Sequence, residues 1–344
     1  IAGWTMAYAT RAAFGVINNI DAVGATSMFN DFVSDPERLL AWHTIFSIMT
    51  AIVVSKGVKS GLESAVIRLM PALLVLLLAL VIFSAIEGDF LNGVKFMLYP
   101  DFSQVTWKTI LIAMGQAFFS LSLGMGALMV YGSYLSKEIS IPQTCVIVAS
   151  LDTLVALLAG LAIFPIVISS GLEMTQGPGL IFQTLTVAFG AMPGGQLFGT
   201  LFFILLIFAA WTSSISLIEP MIIWMIEKYN LTRIQAATIS SGLAWLLGIG
   251  TIISFNVGSE IKIFDMNIFQ TLDYLTSNIL LPLGGIMITI YVSWFISKES
   301  IDKELNIKSS ILRFIWYLSA RFVAPIAVVL VMLNALGFSI DSVL

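Results

Sequence analysis

The sequence predicts an all-α, polytopic membrane helix bundle, and three observations carry that prediction. Hydrophobic residues make up 58% of the chain and charged residues only 10%, where a soluble domain carries about 25% charged residues. Mean hydropathy is +0.99. The apolar residues fall in repeated runs of about 20, the length an α-helix needs to cross a bilayer. The net charge of −4 says less than where the charges sit.

The chain opens inside an apolar run, Ile1-Ala-Gly-Trp-Thr-Met, which reaches Arg11 and Phe14 and is too short to span. It has no initiator Met, charged flank or cap, and no signal-peptide pattern. The expectation is a fragment whose upstream helices are missing. Asn18 to Arg38 reads as a polar loop rich in Asn, Asp and Ser. Spans are expected at Leu39–Val54, Val66–Ile86, Trp107–Leu135, Pro142–Ser169, Leu197–Ile226, Ile234–Phe255, Phe269–Ile296 and Ile311–Leu336, eight full spans after the partial one. The single histidine, His43, reads as a solvated residue where a loop enters a helix. The single cysteine, Cys145, lies in an apolar run, which excludes a disulfide scaffold and a cysteine metal site. One His, one Cys and scattered acids supply neither a catalytic dyad nor a metal cluster, so no enzyme is expected.

Alternating the loops sets orientation. Lys56, Lys59, Arg68, Lys137, Lys228, Arg233, Lys298, Lys303, Lys308 and Arg313 fall on one side. The other side holds Arg11, Arg38, Lys95, Lys108 and Lys262, with Asp31, Asp35, Glu37, Glu87, Asp89 and Asp101. The first side is cytoplasmic by the positive-inside bias, and the C-terminal tail is external. Two external segments are long. Glu87 to Gln104 contains the turn signal Tyr99-Pro100-Asp101. Gly171 to Gln196 sets the apolar stretch Leu180–Phe189 between Gln176-Gly-Pro-Gly179 and Met192-Pro-Gly-Gly195. That stretch is either a lid over an outward vestibule or an interfacial helix.

The segment Gly115-Gln-Ala-Phe-Phe-Ser-Leu-Ser-Leu-Gly-Met-Gly126 is poorly made for a membrane helix. Ser and Gly weaken a helix, and unsatisfied backbone groups cost several kcal/mol each in lipid. Such a break persists where it is buried in protein or lines a wet cavity, and in transporters it points to the binding site. Ser120 and Ser122 offer hydroxyls there; close helix packing through Gly124 and Gly126 is the competing reading. A second cluster, Ala209-Ala-Trp-Thr-Ser-Ser-Ile-Ser-Leu-Ile-Glu-Pro220, places Thr212, Ser213, Ser214 and Ser216 inside a span. Thr212 and Ser216 share a face at i, i+4, and hydroxyl with carbonyl oxygens suits sodium; small-residue packing is again the alternative. Asp152 is a carboxylate at membrane depth, which needs a partner or a cation. Asp273 lies near the outer end of its span, Glu219 in the cytoplasmic half of another, and Arg321 in the last span, where it pairs or snorkels. Isolated polar clusters on a few helices suit an occluded site in a solute transporter better than the polar rings of a channel.

The motifs GQAFFSLSLGMGALMVYGSY and AAWTSSISLIEP resemble the sixth and eighth helices of the neurotransmitter:sodium symporters, in their bacterial amino-acid-transporting branch. Gly3-Trp4-Thr5, Gln176-Gly-Pro-Gly-Leu-Ile-Phe182 and Leu272-Asp-Tyr274 are similar to the family's third helix, fourth external loop and tenth helix. The resemblance implies a leucine-transporter-like fold of two inverted five-helix repeats. The chain is then one transmembrane transporter domain over residues 1–344. It would hold the end of the third helix in residues 1–16, the fourth and fifth helices in 39–86, the whole second repeat in 107–296 and an eleventh helix in 311–336, lacking the first two helices and part of the third. The family's first helix would carry the missing half of the ligands, so the fragment alone is not expected to transport.

The resemblance further implies a substrate pocket of Phe119, Ser120, Ser122, Met125, Ser213 and Leu217, with Phe119 as aromatic lid. Ser120 and Asp152 would help hold one sodium, and the Ala209 carbonyl, Thr212 and Ser213 the other. Asp273 would be an outer-gate residue; Tyr134 and Glu227 match inner-gate positions. Two departures matter. Asp152 stands where the best-known members have Asn, and Met125 replaces a common pocket Phe with a flexible side chain suited to varied apolar substrates. In chloride-dependent relatives a Ser would stand at Ala156, and Gln116 and Ser120 would help hold the anion. Here Asp152 brings a fixed negative charge instead, so chloride is not expected to be required. The implied function is sodium-coupled symport of a hydrophobic or aromatic amino acid by a multi-pass protein of the bacterial inner membrane, with sodium, amino acid and the lipid bilayer as partners and no nucleic acid. The alternative is a channel or another secondary transporter of small organic solutes.

Overall fold

The computed structural model describes residues 1–57, 63–99, 101–136, 138–171 and 177–338. Lys59, Pro100, Lys137, Gln176 and the C-terminal tail beyond Phe338 lie outside the described residues. Two compact units result: Ile1–Pro100 with Val155–Phe269, and Asp101–Leu154 with Gln270–Leu344.

The first unit begins with α1 (Ala2–Ala13), α2 (Ala22–Val33) and α3 (Pro36–Ser55). The stretch from Asn18 to Arg38 is therefore not the loop its polarity suggests. Asp21 caps α2 by accepting from the Gly24 N–H at 2.7 Å, and Ala25, Phe32 and Val33 are buried. Burial of one apolar face overrides a polar composition. Asp35 caps α3 and Pro36 takes its first turn, so the helix starts ahead of Leu39. His43 thus sits inside the helix, half-buried, with Nε2 3.1 Å from the Trp245 carbonyl. The expectation of a solvated loop histidine was wrong, because the cap moved the helix start.

The unit continues with α4 (Ser64–Glu87) and α5 (Phe90–Leu98). A long stretch of chain later it takes in α9 (Leu180–Ala191), α10 (Gly195–Tyr229) and α11 (Arg233–Ile253). Its core is aromatic. Tyr8 of α1 meets the rings of Phe32, Phe182 and Phe203 at 6.1, 5.0 and 5.4 Å. Phe182, Leu185, Ala188 and Phe189 of α9 are fully or almost fully buried, so this helix packs into protein rather than lying on an interface. Gly3 permits close approach: a Cβ there would sit 3.0 Å from the Trp42 backbone.

The second unit holds α6 (Trp107–Ser120), α7 (Ala127–Ser133), the first half of α8 (Ile141–Ser169), most of α12 (Ile268–Phe295), α13 (Lys298–Leu305) and α14 (Ser310–Ala335). Among the described residues, seven helices are long and apolar enough to cross a membrane: α3, α4, α8, α10, α11, α12 and α14. The remaining expected span, Trp107–Leu135, is not one helix. It breaks after Ser120 and resumes at Ala127.

Candidate functional site: a broken helix and a hydroxyl cluster

The break in the second unit has a local cause. Ser122, Gly124 and Gly126 all adopt positive φ, at +54°, +82° and +81°. The α6 end closes with Leu121 N–H to Ala117 O at 3.1 Å and Leu123 N–H to Phe118 O at 3.1 Å. Residues in the left-handed region cannot continue a right-handed helix, and for Ser122 that conformation costs of order 1 kcal/mol. The helix break and the close packing that the glycines suggested both occur here. A Cβ on Gly124 would press on Leu281 O and lie 2.8 Å from Gly285 N, so the unwound turn packs directly on the α12 backbone. The same turn leaves the last carbonyls of α6 and the first amides of α7 without partners in their helices.

At the end of α6 the Ser120 hydroxyl donates to Asp152 Oδ2 at 2.9 Å. The fold thus joins two residues that lie 32 apart in sequence. Asp152 is half-buried in α8. Gln116 lies one turn before Ser120 on α6, and Ala156 one turn beyond Asp152 on α8. Phe119 is 51% exposed, while Ser122 and Met125 are half-buried.

In the first unit the hydroxyls of α10 divide into two roles. Ser214 Oγ and Thr50 Oγ1 of α3 hydrogen-bond at 3.0 Å, which is helix-to-helix packing. Thr212 is buried, and its Oγ1 lies 3.0 Å from both Phe208 O and Ala209 O. A hydroxyl that donates one proton keeps two lone pairs. The Thr212 hydroxyl and Ala209 carbonyl therefore form a paired set of neutral oxygens, a donor set that fits a hard monovalent cation. Ser213 and Leu217 are exposed and share a face of α10. Ser216 turns back to donate to Thr212 O at 2.9 Å. Among the described residues no three His, Cys, Asp or Glu side chains gather as a metal cluster.

The expected gate residues lie at exposed helix ends: Asp273 in the first turns of α12, Glu227 in the last turn of α10, and Tyr134 just past α7. Sequence reasoning missed two partnerships. Glu219 is buried and binds Arg233 through both oxygens, at 2.7 and 2.6 Å. Arg321 donates Nε–H to the Ser293 carbonyl at 2.9 Å. For Glu219 a signal was present, because the next arginine, Arg233, opens the following helix after a short turn at Asn230.

Comparison with known proteins identifies the family. The family described as the Sodium:neurotransmitter symporter family matches residues 8–340. An uncharacterised sodium-dependent transporter of Bacillus subtilis, YhdH, is 34% identical over 340 residues, covering 98% of this chain and 75% of the relative. The sodium-dependent nutrient amino acid transporter 1 of Drosophila erecta is 30% identical over 243 residues, covering 64% of this chain and 36% of the relative. The crystal structure of MhsT in complex with L-phenylalanine superposes with a TM-score of 0.87 at 40% identity, covering 97% of this chain and 76% of that one. These matches identify an integral membrane transporter with the leucine-transporter-like fold, not an enzyme: the chain belongs to the sodium:neurotransmitter symporter family.

Proposed function

We propose that the protein couples inward sodium movement to uptake of an amino acid with a hydrophobic, in particular aromatic, side chain. The observation that carries this reading is the Ser120–Asp152 bond at the broken end of α6, 2.9 Å long. It sets a carboxylate and a hydroxyl beside freed helix-end groups, which suit a cation and the two charged ends of an amino acid. Phe119, Ser120, Ser122, Met125, Ser213 and Leu217 are the substrate-binding residues in this reading. Their apolar members, Phe119, Met125 and Leu217, favour an apolar side chain, and MhsT, bound to L-phenylalanine, supports the same class.

Sodium enters as cargo in two places. Ser120 and Asp152 contribute to the first, next to the substrate carboxylate. The Ala209 carbonyl, Thr212 and Ser213 contribute to the second. Asp152 also supplies the negative charge that offsets sodium in a low-dielectric site, so transport does not require chloride. Asp273 gates the outer side and Tyr134 with Glu227 the inner side. The location is a bacterial plasma membrane, as the Bacillus relative suggests, and residues 1–344 act as one transporter domain.

Sodium-gradient uptake of labelled L-phenylalanine by the full-length protein in proteoliposomes tests the proposal. Uptake should saturate with substrate and vanish when choline replaces sodium. Non-saturating, sodium-independent flux would instead indicate a channel.

A further inference from the structure

Three side chains that the transport reading leaves unused converge where α12 ends and α14 passes it. Ser293 lies in the last turn of α12, where carbonyls have no partner within the helix. Arg321 caps it by donating Nε–H to that carbonyl at 2.9 Å. This uses one of the five N–H donors of the guanidinium. Its centre lies 5.6 Å from the ring centroids of both Trp294 and Tyr317. The Lys298 ammonium lies 5.9 Å from the same Tyr317 centroid, so the two cations are within about 12 Å of each other.

Of the acids on α13, Glu299 and Glu304 are exposed, and the one bonded to Tyr317 is already engaged. Asp302 pairs with Arg313 at 3.4 Å and accepts from the Tyr317 hydroxyl at 3.3 Å. Lys298 and Arg321 make no ion pair among the described residues. Arg321, within α14, has no carboxylate partner, which is costly against hydrocarbon, while exposed Lys298 opens α13 just past the end of α12. The surrounding surface is apolar and open: Trp294, Phe295, Leu318 and Phe322 are 57%, 76%, 45% and 48% exposed. Charge at the level of the helix end, beside exposed aromatic and aliphatic side chains, matches a phosphate above acyl chains. The forked donors of an arginine suit phosphate oxygens.

We propose that Lys298 and Arg321, each within 6 Å of the Tyr317 ring centroid, bind the phosphodiester of an anionic phospholipid whose acyl chains lie along Trp294, Leu318 and Phe322. Phosphatidylglycerol is the probe, and phosphatidylcholine with the same acyl chains is the control. The full-length protein is stripped of lipid in detergent, and lipid adducts are titrated by native mass spectrometry. Phosphatidylglycerol should be retained in preference to phosphatidylcholine. Lys298→Gln should weaken its retention about fivefold. Lys298 caps no backbone, so the melting temperature of that variant should be unchanged. Arg321→Gln should weaken retention further but also lower the melting temperature, because it uncaps α12. Equal retention of the two lipids, or undiminished phosphatidylglycerol retention in both variants, would overturn the proposal. Displacement by millimolar inorganic phosphate would identify free phosphate as the ligand and overturn the lipid assignment.

Discussion

Glu219 and Arg233 form a two-armed ion pair, with O···N distances of 2.7 and 2.6 Å and the Glu219 side chain only 1% exposed. Arg233 also donates Nε–H to the Val54 carbonyl at 2.8 Å. One guanidinium therefore fastens α10, the start of α11 and the end of α3. Removing one partner of a buried pair strands the other charge, at a cost of about 3–5 kcal/mol. Arg233 is 21% exposed, which places the expected loss for Arg233→Ala near the lower end, about 3 kcal/mol. Thermal melting in detergent should show it. The charge swap Glu219→Arg with Arg233→Glu should not restore stability, because a glutamate cannot donate to Val54 O.

Thr212 and Ser213 test the second sodium position. Replacing both with Ala in the full-length protein removes two hydroxyl oxygens that alanine cannot replace. Sodium affinity should fall at least tenfold, with substrate affinity falling through linkage, since each ligand's effect on the other is reciprocal. Amino-acid binding titrated at several sodium concentrations measures both. An unaltered sodium dependence would reduce these hydroxyls to the packing role that Ser214 has with Thr50.

Asp152 tests charge compensation. Wild-type uptake should be unchanged when gluconate replaces chloride. Asp152→Asn with Ala156→Ser removes the fixed charge and adds a hydroxyl one turn away on α8. That variant should acquire a chloride requirement. A chloride-requiring wild type would refute the assignment.

Gly124 tests the break itself. Its φ of +82° disfavours any side chain, and a Cβ would meet the α12 backbone at Leu281 and Gly285. Gly124→Ala should destabilise the protein by about 2 kcal/mol or more and abolish uptake. Gly132→Ala is the control, because nothing lies within 4 Å of a Cβ there. Its melting temperature should stay within error of wild type.

The sequence by itself determined the membrane class, the approximate position of each span and the site of the break. Those features are local. A run of apolar residues long enough for a bilayer is read from one window, and so are the serines and glycines that stop a helix at Ser120 and restart it at Ala127. The resemblance of these same windows to a family added Ser120 with Asp152, and Thr212 with the Ala209 carbonyl. The structure brings both pairs within hydrogen-bonding distance, at 2.9 and 3.0 Å.

Tertiary structure alone decided the rest. Polarity made Asn18–Arg38 look like a loop, yet Phe32 and Val33 are buried against other helices and hold α2 in place. His43 gained a partner in Trp245, about 200 residues away. Only the packing of α3 against α10 separates Ser214, bonded to Thr50, from Thr212, turned back on its own carbonyls. The same holds for the charges whose roles the sequence left open, Glu219 on Arg233 and Arg321 on the Ser293 carbonyl. A side chain's cost or benefit at membrane depth is set by the group that faces it, and that group comes from another helix.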